Sequence, residues 1–148
     1  MMQPVVVSVD IDRPAEEVFA YLDDVENNPR WLRGMRSCTW TTPPPAQVGS
    51  RYEQTAAFLG KEIRTSFEVT AREPGRLVTI TSQEGSSFPI TVTREVTPCG
   101  PNRCRVTETL ESDPSGFYRI AGTLLGAMVR RRIQRDYRTL KATLEQAG

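Results

Sequence analysis

Two charged residues, Arg94 and Glu108, occupy positions where the surrounding sequence predicts inward-facing side chains. Both lie in segments that alternate apolar and polar residues, which is the period of a β-strand with one buried face. Val92 sets the inward parity of the first segment, and Val106 sets that of the second. If Val96 pairs with Val106 across the intervening turn, Arg94 stands directly opposite Glu108.

An inward-facing guanidinium beside a carboxylate is a recognition group for the oxygen atoms of a small molecule. In an enzyme, Arg94 or Tyr52 would polarise a carbonyl group and Glu108 would accept a proton. The alternatives are a salt bridge near an open end of the sheet, or a β-bulge that returns one of the two side chains to solvent. The sequence therefore indicates a site without assigning a catalytic residue.

Further inward-facing positions predict a mainly apolar wall around this pair. The candidate polar members are Tyr52, Gln54, Thr65, Thr79 and Thr81, and the candidate apolar members are Phe58, Phe67, Phe88, Ile90, Val92 and Leu124. Threonine is also an ordinary strand residue, which explains the threonines without a ligand. Trp31 either covers the pocket mouth or anchors the helices against the sheet, and both roles require burial.

The composition excludes several kinds of site. The chain of 148 residues contains no histidine, which removes the commonest general base and most zinc and haem ligand sets. It has no P-loop, no Gly-x-Gly-x-x-Gly fingerprint and no Gly-x-Ser-x-Gly elbow. We therefore expect no metal and no cofactor. Cys99 and Cys104 flank a turn, where a reducing compartment favours free thiols over a disulfide.

Charge and hydropathy predict a cytoplasmic protein. The 19 basic and 18 acidic residues nearly cancel, so no global field would recruit nucleic acid or an anionic membrane, and any basic patch must be local. The N-terminal segment lacks the basic and apolar regions of a secretory signal. The longest near-apolar stretch, residues 120–129, is about half of the ~20 residues that a membrane span needs.

The elements that position the candidate residues read as one domain, residues 1–148. Residues 5–11 predict a strand, and Asp12 is the expected N-cap of a short helix that carries Val18, Phe19 and Leu22. Residues 27–29 are expected to break this helix, and residues 30–32 to form a second helical turn. The strands that follow are predicted at 35–41, in a hairpin over 50–73, at 77–83, and on either side of a turn at 99–103. These strands, about seven in all, indicate an antiparallel meander.

The last predicted element is a helix of roughly 30 residues. In its second half Val129, Ile133, Tyr137, Leu140 and Leu144 share one side, and Arg131, Arg132, Arg135 and Arg138 lie opposite. The arginines indicate either a solvated helix face or a contact with nucleic acid or anionic lipid headgroups. In the first half Phe117, Ile120, Leu124 and Met128 fall on the side that later becomes basic. This switch predicts a kink, a first half that closes a pocket, or a patch used for homodimerisation.

The order of elements, together with particular residues, resembles the START-like or Bet v 1-like (SRPBCC) superfamily, and within it the bacterial polyketide cyclase/dehydrase and lipid-transport family. The residues that carry the resemblance are Val5–Ile11, residues 13–19, Asp24 with residues 28–31, residues 48–52, residues 58–61, Glu68-Val69 with residues 73–77, and Leu140-Lys141 with Leu144-Glu145. The resemblance implies an α+β helix-grip fold, in which a curved antiparallel sheet and two short helices wrap around a long C-terminal helix. It also implies a cavity between sheet and helix that holds an apolar small molecule.

Three functions follow as expectations. The first is binding or transport of a hydrophobic, partly oxygenated small molecule such as a lipid, polyketide or isoprenoid. The second is a polyketide cyclase or aromatase that acts in the same cavity. The third is a dimerising interaction protein with a vestigial cavity. The volume inside the sheet separates the third from the other two, because a filled interior leaves no room for a ligand.

Overall fold

The computed structural model describes residues 4–58, 60–83, 89–112 and 117–146, and within these it leaves the side chains of residues 58, 112 and 117–126 undescribed. The strands are β1 (Val5–Ile11), β2 (Met35–Trp40), β3 (Arg51–Phe58), β4 (Lys61–Glu73), β5 (Leu77–Ser82), β6 (Ile90–Gly100) and β7 (Arg103–Ser112). The helices are α1 (Ala15–Asp23), a 3-10 helix (Val25–Arg30) and α2 (Phe117–Gln146).

The seven strands form one curled antiparallel sheet in the order β1-β7-β6-β5-β4-β3-β2. Neighbours in sequence are neighbours in the sheet from β2 to β7, as a meander requires, and β1 closes the far edge against β7. Helix α2 lies inside the curl, so the architecture is the expected α+β helix-grip fold. Within the described residues, no helix is both long and apolar enough to cross a membrane.

The two short helical pieces differ from the predicted ones in their details. Helix α1 begins at Ala15 with Pro14 at its N-cap, so the prediction of Asp12 as the cap is wrong. The Asp12 amide donates instead to Glu145 Oε2 at the end of α2, over 2.8 Å. Residues 27–29 do not break the helical path but lie inside the 3-10 helix, which ends at Arg30. A short 3-10 turn accepts Pro29 because it depends on few backbone hydrogen bonds.

Buried apolar side chains from both faces of the grip form the core. On α2, Tyr137, Leu140 and Leu144 are buried, whereas Ile133 packs against the core from a half-buried position. This is the stripe expected from the sequence, and it faces the apolar alternation of the strands. The exposed Arg131, Arg135 and Arg138 lie on the opposite side of the helix.

Cationic side chains donate to backbone carbonyls along the edges of the grip. Lys141 Nζ donates to the Asp10 carbonyl at 2.8 Å, and Arg130 Nη1 donates to the Val6 carbonyl at 3.0 Å. Arg13 donates to the carbonyls of Leu144 and Glu145, which would otherwise be orphaned at the end of α2. Helix α2 therefore runs in the same direction as β1, with its later residues beside the end of that strand.

Candidate functional site

Arg94 and Glu108 face each other across β6 and β7 in the register predicted from Val96 and Val106. Arg94 Nε donates to Glu108 Oε1 over 3.1 Å, and the two side chains are only 8% and 6% exposed. The paired arrangement is confirmed, and no bulge returns either residue to solvent. A buried ion pair of this kind requires close geometry and further hydrogen bonds to offset its desolvation.

Tyr137 supplies one of these further bonds from the helix side. Its hydroxyl donates to the same oxygen, Glu108 Oε1, over 2.8 Å. Trp31 lies against both groups: its ring centroid is 5.0 Å from the Arg94 Cζ atom and 5.0 Å from the Tyr137 ring, which it meets edge-on. Trp31 is 2% exposed, so the expected burial is confirmed and its place is that of a core anchor.

The protonation states of this cluster follow from its burial. Burial disfavours the charge on Arg94, yet the oxygens of Tyr137, Glu108 and Tyr52 around it raise the pKa of the guanidinium above its ordinary value. Burial also raises the pKa values of the Tyr137 and Tyr52 hydroxyls, so both stay neutral donors. The cluster therefore holds a charged guanidinium beside neutral tyrosine hydroxyl groups.

Several buried polar atoms close to this pair have no hydrogen-bond partner in the described part of the chain. They are the Tyr52 hydroxyl, the Trp31 indole Nε1 and the Asn28 Oδ1. Tyr52 stacks on Phe67 with ring centroids 5.3 Å apart, and Asn28 Nδ2 contacts Cys38 Sγ at 3.9 Å. Leaving a buried donor unpaired costs about 1 to 3 kcal/mol, so such atoms call for an explanation.

Inward-facing residues are less buried toward one end of the sheet. On β6 burial falls from Val96 at 0% exposure to the half-buried Ile90, and on β3 from Tyr52 at 0% to the half-buried Gln54. Residues that share this half-buried inward position are Gln54, Ala56, Ile63, Ile90, Leu110, Val129 and Ile133. We call this set the open end, and the Arg94–Glu108 pair lies at its inner boundary.

The remaining candidates divide by face. Tyr52, Gln54, Thr65, Phe67, Ile90 and Val92 share the inward face with Arg94 and Glu108. Thr79 and Thr81 alternate with the buried Val78 and Ile80 and so lie on the outer face, where they pair with Thr93 and Thr70. Placing these two threonines in the wall was wrong. The side chains of Phe58 and Leu124, and residue Phe88, lie outside the described residues.

A second cluster joins α2 to the loop before β2 at the open end. Arg132 Nη2 donates to the carbonyls of Arg33 and Ala57 at 2.9 and 3.1 Å, and the Arg33 amide donates to Asp136 Oδ1 at 3.2 Å. Burial raises the pKa of Asp136 to about 6, although the Arg33 amide and Arg132 act against this shift. Gly34, with φ of 89°, lets the Arg132 guanidinium lie directly over the backbone.

Two of the three cysteines are buried thiols. Cys38, Cys99 and Cys104 are free, with Cys99 exposed and Cys104 buried. Burial raises the pKa of Cys38 to about 12 and that of Cys104 to about 11, so both remain thiols at neutral pH. Among the described residues, no three Cys, Asp or Glu side chains converge as metal ligands would.

Sequence reasoning missed Tyr137, Asn28 and Asp136 as parts of the site. The sequence places Tyr137 in the apolar stripe, and a tyrosine in a buried stripe needs a partner for its hydroxyl. That requirement was the available signal. Nothing local in the sequence indicates that Glu108 is the partner, because the contact depends on how far α2 slides along the sheet.

Comparison with known proteins places this geometry among related folds. Residues 2–145 match the family described as polyketide cyclase/dehydrase and lipid transport. No curated protein sequence matches at a significant level. Protein TTHA0849 from Thermus thermophilus has a similar structure, with a TM-score of 0.83 at 20% identity over 99% of both chains.

Two further structures are similar at low sequence identity. A START superfamily protein from Mycobacterium smegmatis has a TM-score of 0.82 at 15% identity, over 98% of this chain and 99% of that one. The Zhui aromatase/cyclase from Streptomyces sp. R1128 has a TM-score of 0.77 at 15% identity, over 99% and 95%. At these identities the likeness shows the fold.

Proposed function

We propose, because the chain belongs to the polyketide cyclase/dehydrase and lipid transport family, that it binds a hydrophobic, partly oxygenated small molecule at the open end of its sheet. The ligand lies between the inward face of the strands and helix α2. Its apolar part contacts Ile63, Ile90 and Leu110, and an oxygen atom reaches toward the Arg94–Glu108 pair.

The observation that carries the proposal is the difference in burial between the two ends of the grip. At one end Tyr137, Leu140 and Leu144 fill the space under α2, with 1%, 0% and 5% exposure. At the other end Val129 and Ile133 are half-buried, as are the strand residues opposite them. Apolar side chains that face inward and are incompletely covered suit an apolar ligand, because the ligand removes their remaining surface from water.

The polar groups at the inner boundary favour a ligand that carries oxygen. The Arg94 and Glu108 side chains keep a small exposed fraction, and the Tyr52 hydroxyl and Trp31 Nε1 lack partners in the described chain. A carbonyl, hydroxyl or carboxyl oxygen would accept hydrogen bonds from such donors. A pure hydrocarbon would leave them unpaired, which selects against it.

Gentle purification followed by native and denaturing mass spectrometry tests this function. We expect a stoichiometric apolar adduct that organic extraction releases and identifies. Ala56 faces inward at the open end and Ala57 faces outward, so they give a matched pair of variants. Ala56→Phe should abolish the adduct and Ala57→Phe should keep it; equal occupancy in both would place the ligand elsewhere.

Catalysis on a polyketide-like carbonyl compound is the second candidate function. The observation that favours it is the convergence of the Arg94 and Tyr137 donors on one carboxylate oxygen beside the open end. Arg94 would polarise a carbonyl and Glu108 would accept a proton. The tight pairing of these two groups favours binding over turnover, which ranks this function second.

Glu108→Gln separates the two functions once the ligand is known. A variant that retains the adduct but loses turnover assigns Glu108 a catalytic role. Unchanged turnover, or no turnover in the unmodified protein, leaves binding alone. A thermal melt of the variant must accompany the assay, because Arg94 loses its ion partner.

A further inference from the structure

Helix α2 concentrates positive charge on its outer face. The helix contains seven basic residues and two acidic ones, in a chain whose formal charge is only +1. Of the two acids, Asp136 is buried and Glu145 pairs with Lys141 at 2.7 Å. The basic excess of this helix is therefore not balanced on its own exposed surface.

Four exposed residues form a straight line on this face: Met128, Arg131, Arg135 and Arg138. Their spacing of three, four and three residues keeps them within about one quarter of the helix circumference. We call these four residues the arginine stripe. At about 1.5 Å per residue the stripe is about 15 Å long.

The stripe arginines differ in their partners from several exposed arginines of the sheet. Arg51, Arg76 and Arg105 each pair with a carboxylate. In the part of the chain that the structure describes, the guanidinium groups of Arg131, Arg135 and Arg138 have no carboxylate partner within 4.0 Å. Their charge is available to an external anion.

The stripe begins with exposed apolar surface next to the open end. Met128 is 48% exposed. The next residue, Val129, belongs to the open end itself. An apolar side chain at one end of a row of arginines suits a surface with phosphate groups outside and hydrocarbon beneath.

We propose that the arginine stripe docks the protein on an anionic lipid bilayer, with Met128 at the membrane and the open end beside it. A straight row of guanidinium groups matches a plane of phosphates without requiring a particular spacing of partners. Docking in this orientation shortens the path of an apolar ligand between bilayer and protein. The advantage to ligand transfer rests on the proposed function, whereas the docking itself does not.

Vesicle co-sedimentation with the full chain tests the inference. The probes are vesicles of phosphatidylcholine alone and of phosphatidylcholine with about 30% phosphatidylglycerol. We expect binding to the anionic vesicles only, weakened by salt. The triple variant Arg131→Gln, Arg135→Gln and Arg138→Gln should lower the affinity on the order of 100-fold, since each arginine near an anionic surface contributes about five-fold.

The matched control removes the same charge from the sheet, as Arg51→Gln, Arg76→Gln and Arg105→Gln. These exposed ion pairs contribute little to stability, so the control should fold and keep most of its vesicle affinity. Equal losses of vesicle affinity in the two triple variants would mean that only net charge matters and would overturn the proposed role of the arginine stripe. Binding to duplex DNA or to an acidic protein, with no vesicle binding, would overturn the membrane assignment.

The outcome of the vesicle experiment can be distinguished from the outcome of the mass spectrometry that tests for a bound ligand. Vesicle binding without an adduct would retain the docking surface and remove the proposed ligand. If the protein carries the adduct but does not bind anionic vesicles, the proposed ligand site stands and the proposed docking surface is wrong.

Discussion

Arg94 and Glu108 stand directly opposite each other on β6 and β7, joined by 3.1 Å between Nε and Oε1 in an interior that is otherwise mostly apolar. The pair lies where the filled part of the grip gives way to the half-buried open end. An apolar core without these charges would serve folding as well or better, since buried ion pairs seldom improve stability over hydrophobic residues. Their position at the boundary therefore suits recognition.

Breaking the pair should cost more stability than replacing it. We expect Arg94→Met to destabilise the fold by about 3 to 5 kcal/mol, because Glu108 is left buried without its cation. The double variant Arg94→Met with Glu108→Leu should recover most of this loss while losing the adduct. Urea denaturation measures the stability, and a double variant no more stable than Arg94→Met would contradict the reasoning.

Tyr137 and Tyr52 allow a matched comparison of two buried hydroxyl groups. Tyr137→Phe removes the donor to Glu108 Oε1 and should cost about 1 to 3 kcal/mol, with the ring contact to Trp31 retained. Tyr52→Phe removes a hydroxyl that has no partner in the described chain and should be neutral or stabilising. Thermal denaturation of the two variants gives the comparison. A larger loss of stability for Tyr52→Phe than for Tyr137→Phe would contradict this assignment of hydrogen-bond partners.

The raised pKa of Asp136 predicts how the stability of the protein depends on pH. Its pKa in the folded protein is raised from 3.8 to about 6, mainly by burial, so the folded state binds the proton more tightly than the unfolded chain. The resulting stabilisation is complete below pH 3.8 and is lost as the pH rises through about 6. Asp136→Asn keeps an acceptor for the Arg33 amide without the ionisation, so relative to the unmodified protein it should gain about 2 to 3 kcal/mol between about pH 4 and pH 7.

Asp10→Asn is the control with the opposite sign. The hydrogen bond from Arg105 lowers the pKa of Asp10, so its contribution to stability is present above the ordinary aspartate value and is lost as the pH falls. Denaturant titrations of Asp136→Asn from about pH 4 to pH 7, and of Asp10→Asn from about pH 4 downward, compare the two slopes. If the difference in stability between Asp136→Asn and the unmodified protein stays constant from about pH 4 to pH 7, the pKa of Asp136 is not raised.

Gly34 is expected to be intolerant of a side chain for a reason beyond backbone strain. A Cβ atom there would lie 2.2 Å from Arg132 Nη2 and 3.0 Å from the Ala57 carbonyl oxygen. Gly75 has a similar φ of 80° with nothing within 4 Å, so Gly75→Ala measures the strain alone, about 1 kcal/mol. Gly34→Ala should cost at least about 1 kcal/mol more, as measured by urea denaturation. Equal costs would mean that Arg132 moves aside freely.

The register of the pair was predictable because it depends on local information. Alternation fixes which residues of a strand face inward, and the turn between Gly100 and Arg103 fixes which residues face each other. The same rule should have excluded Thr79 and Thr81, since the buried Val78 and Ile80 take the inward positions between and beside them. The parity of the strand, and not the type of residue, decides which face a side chain occupies.

The rest of the site depends on contacts between elements distant in sequence. Tyr137 meets Glu108, and Arg132 meets Arg33 and Ala57, only because α2 has one particular depth inside the curled sheet. That depth results from the whole packed core, which no short segment encodes. The 3-10 helix was misplaced for a related reason: the Asp24 carboxylate accepts from the Glu26 amide and starts the turn before the proline.

The central claim is that the open end binds an apolar, oxygenated ligand beside the Arg94–Glu108 pair. Native mass spectrometry of the gently purified protein, compared with Ala56→Phe and Ala57→Phe prepared in parallel, tests it most directly. We predict a stoichiometric adduct in the unmodified protein and in Ala57→Phe, and none in Ala56→Phe, with an extracted molecule that contains both a hydrocarbon part and oxygen. An adduct that persists unchanged in Ala56→Phe would contradict the account.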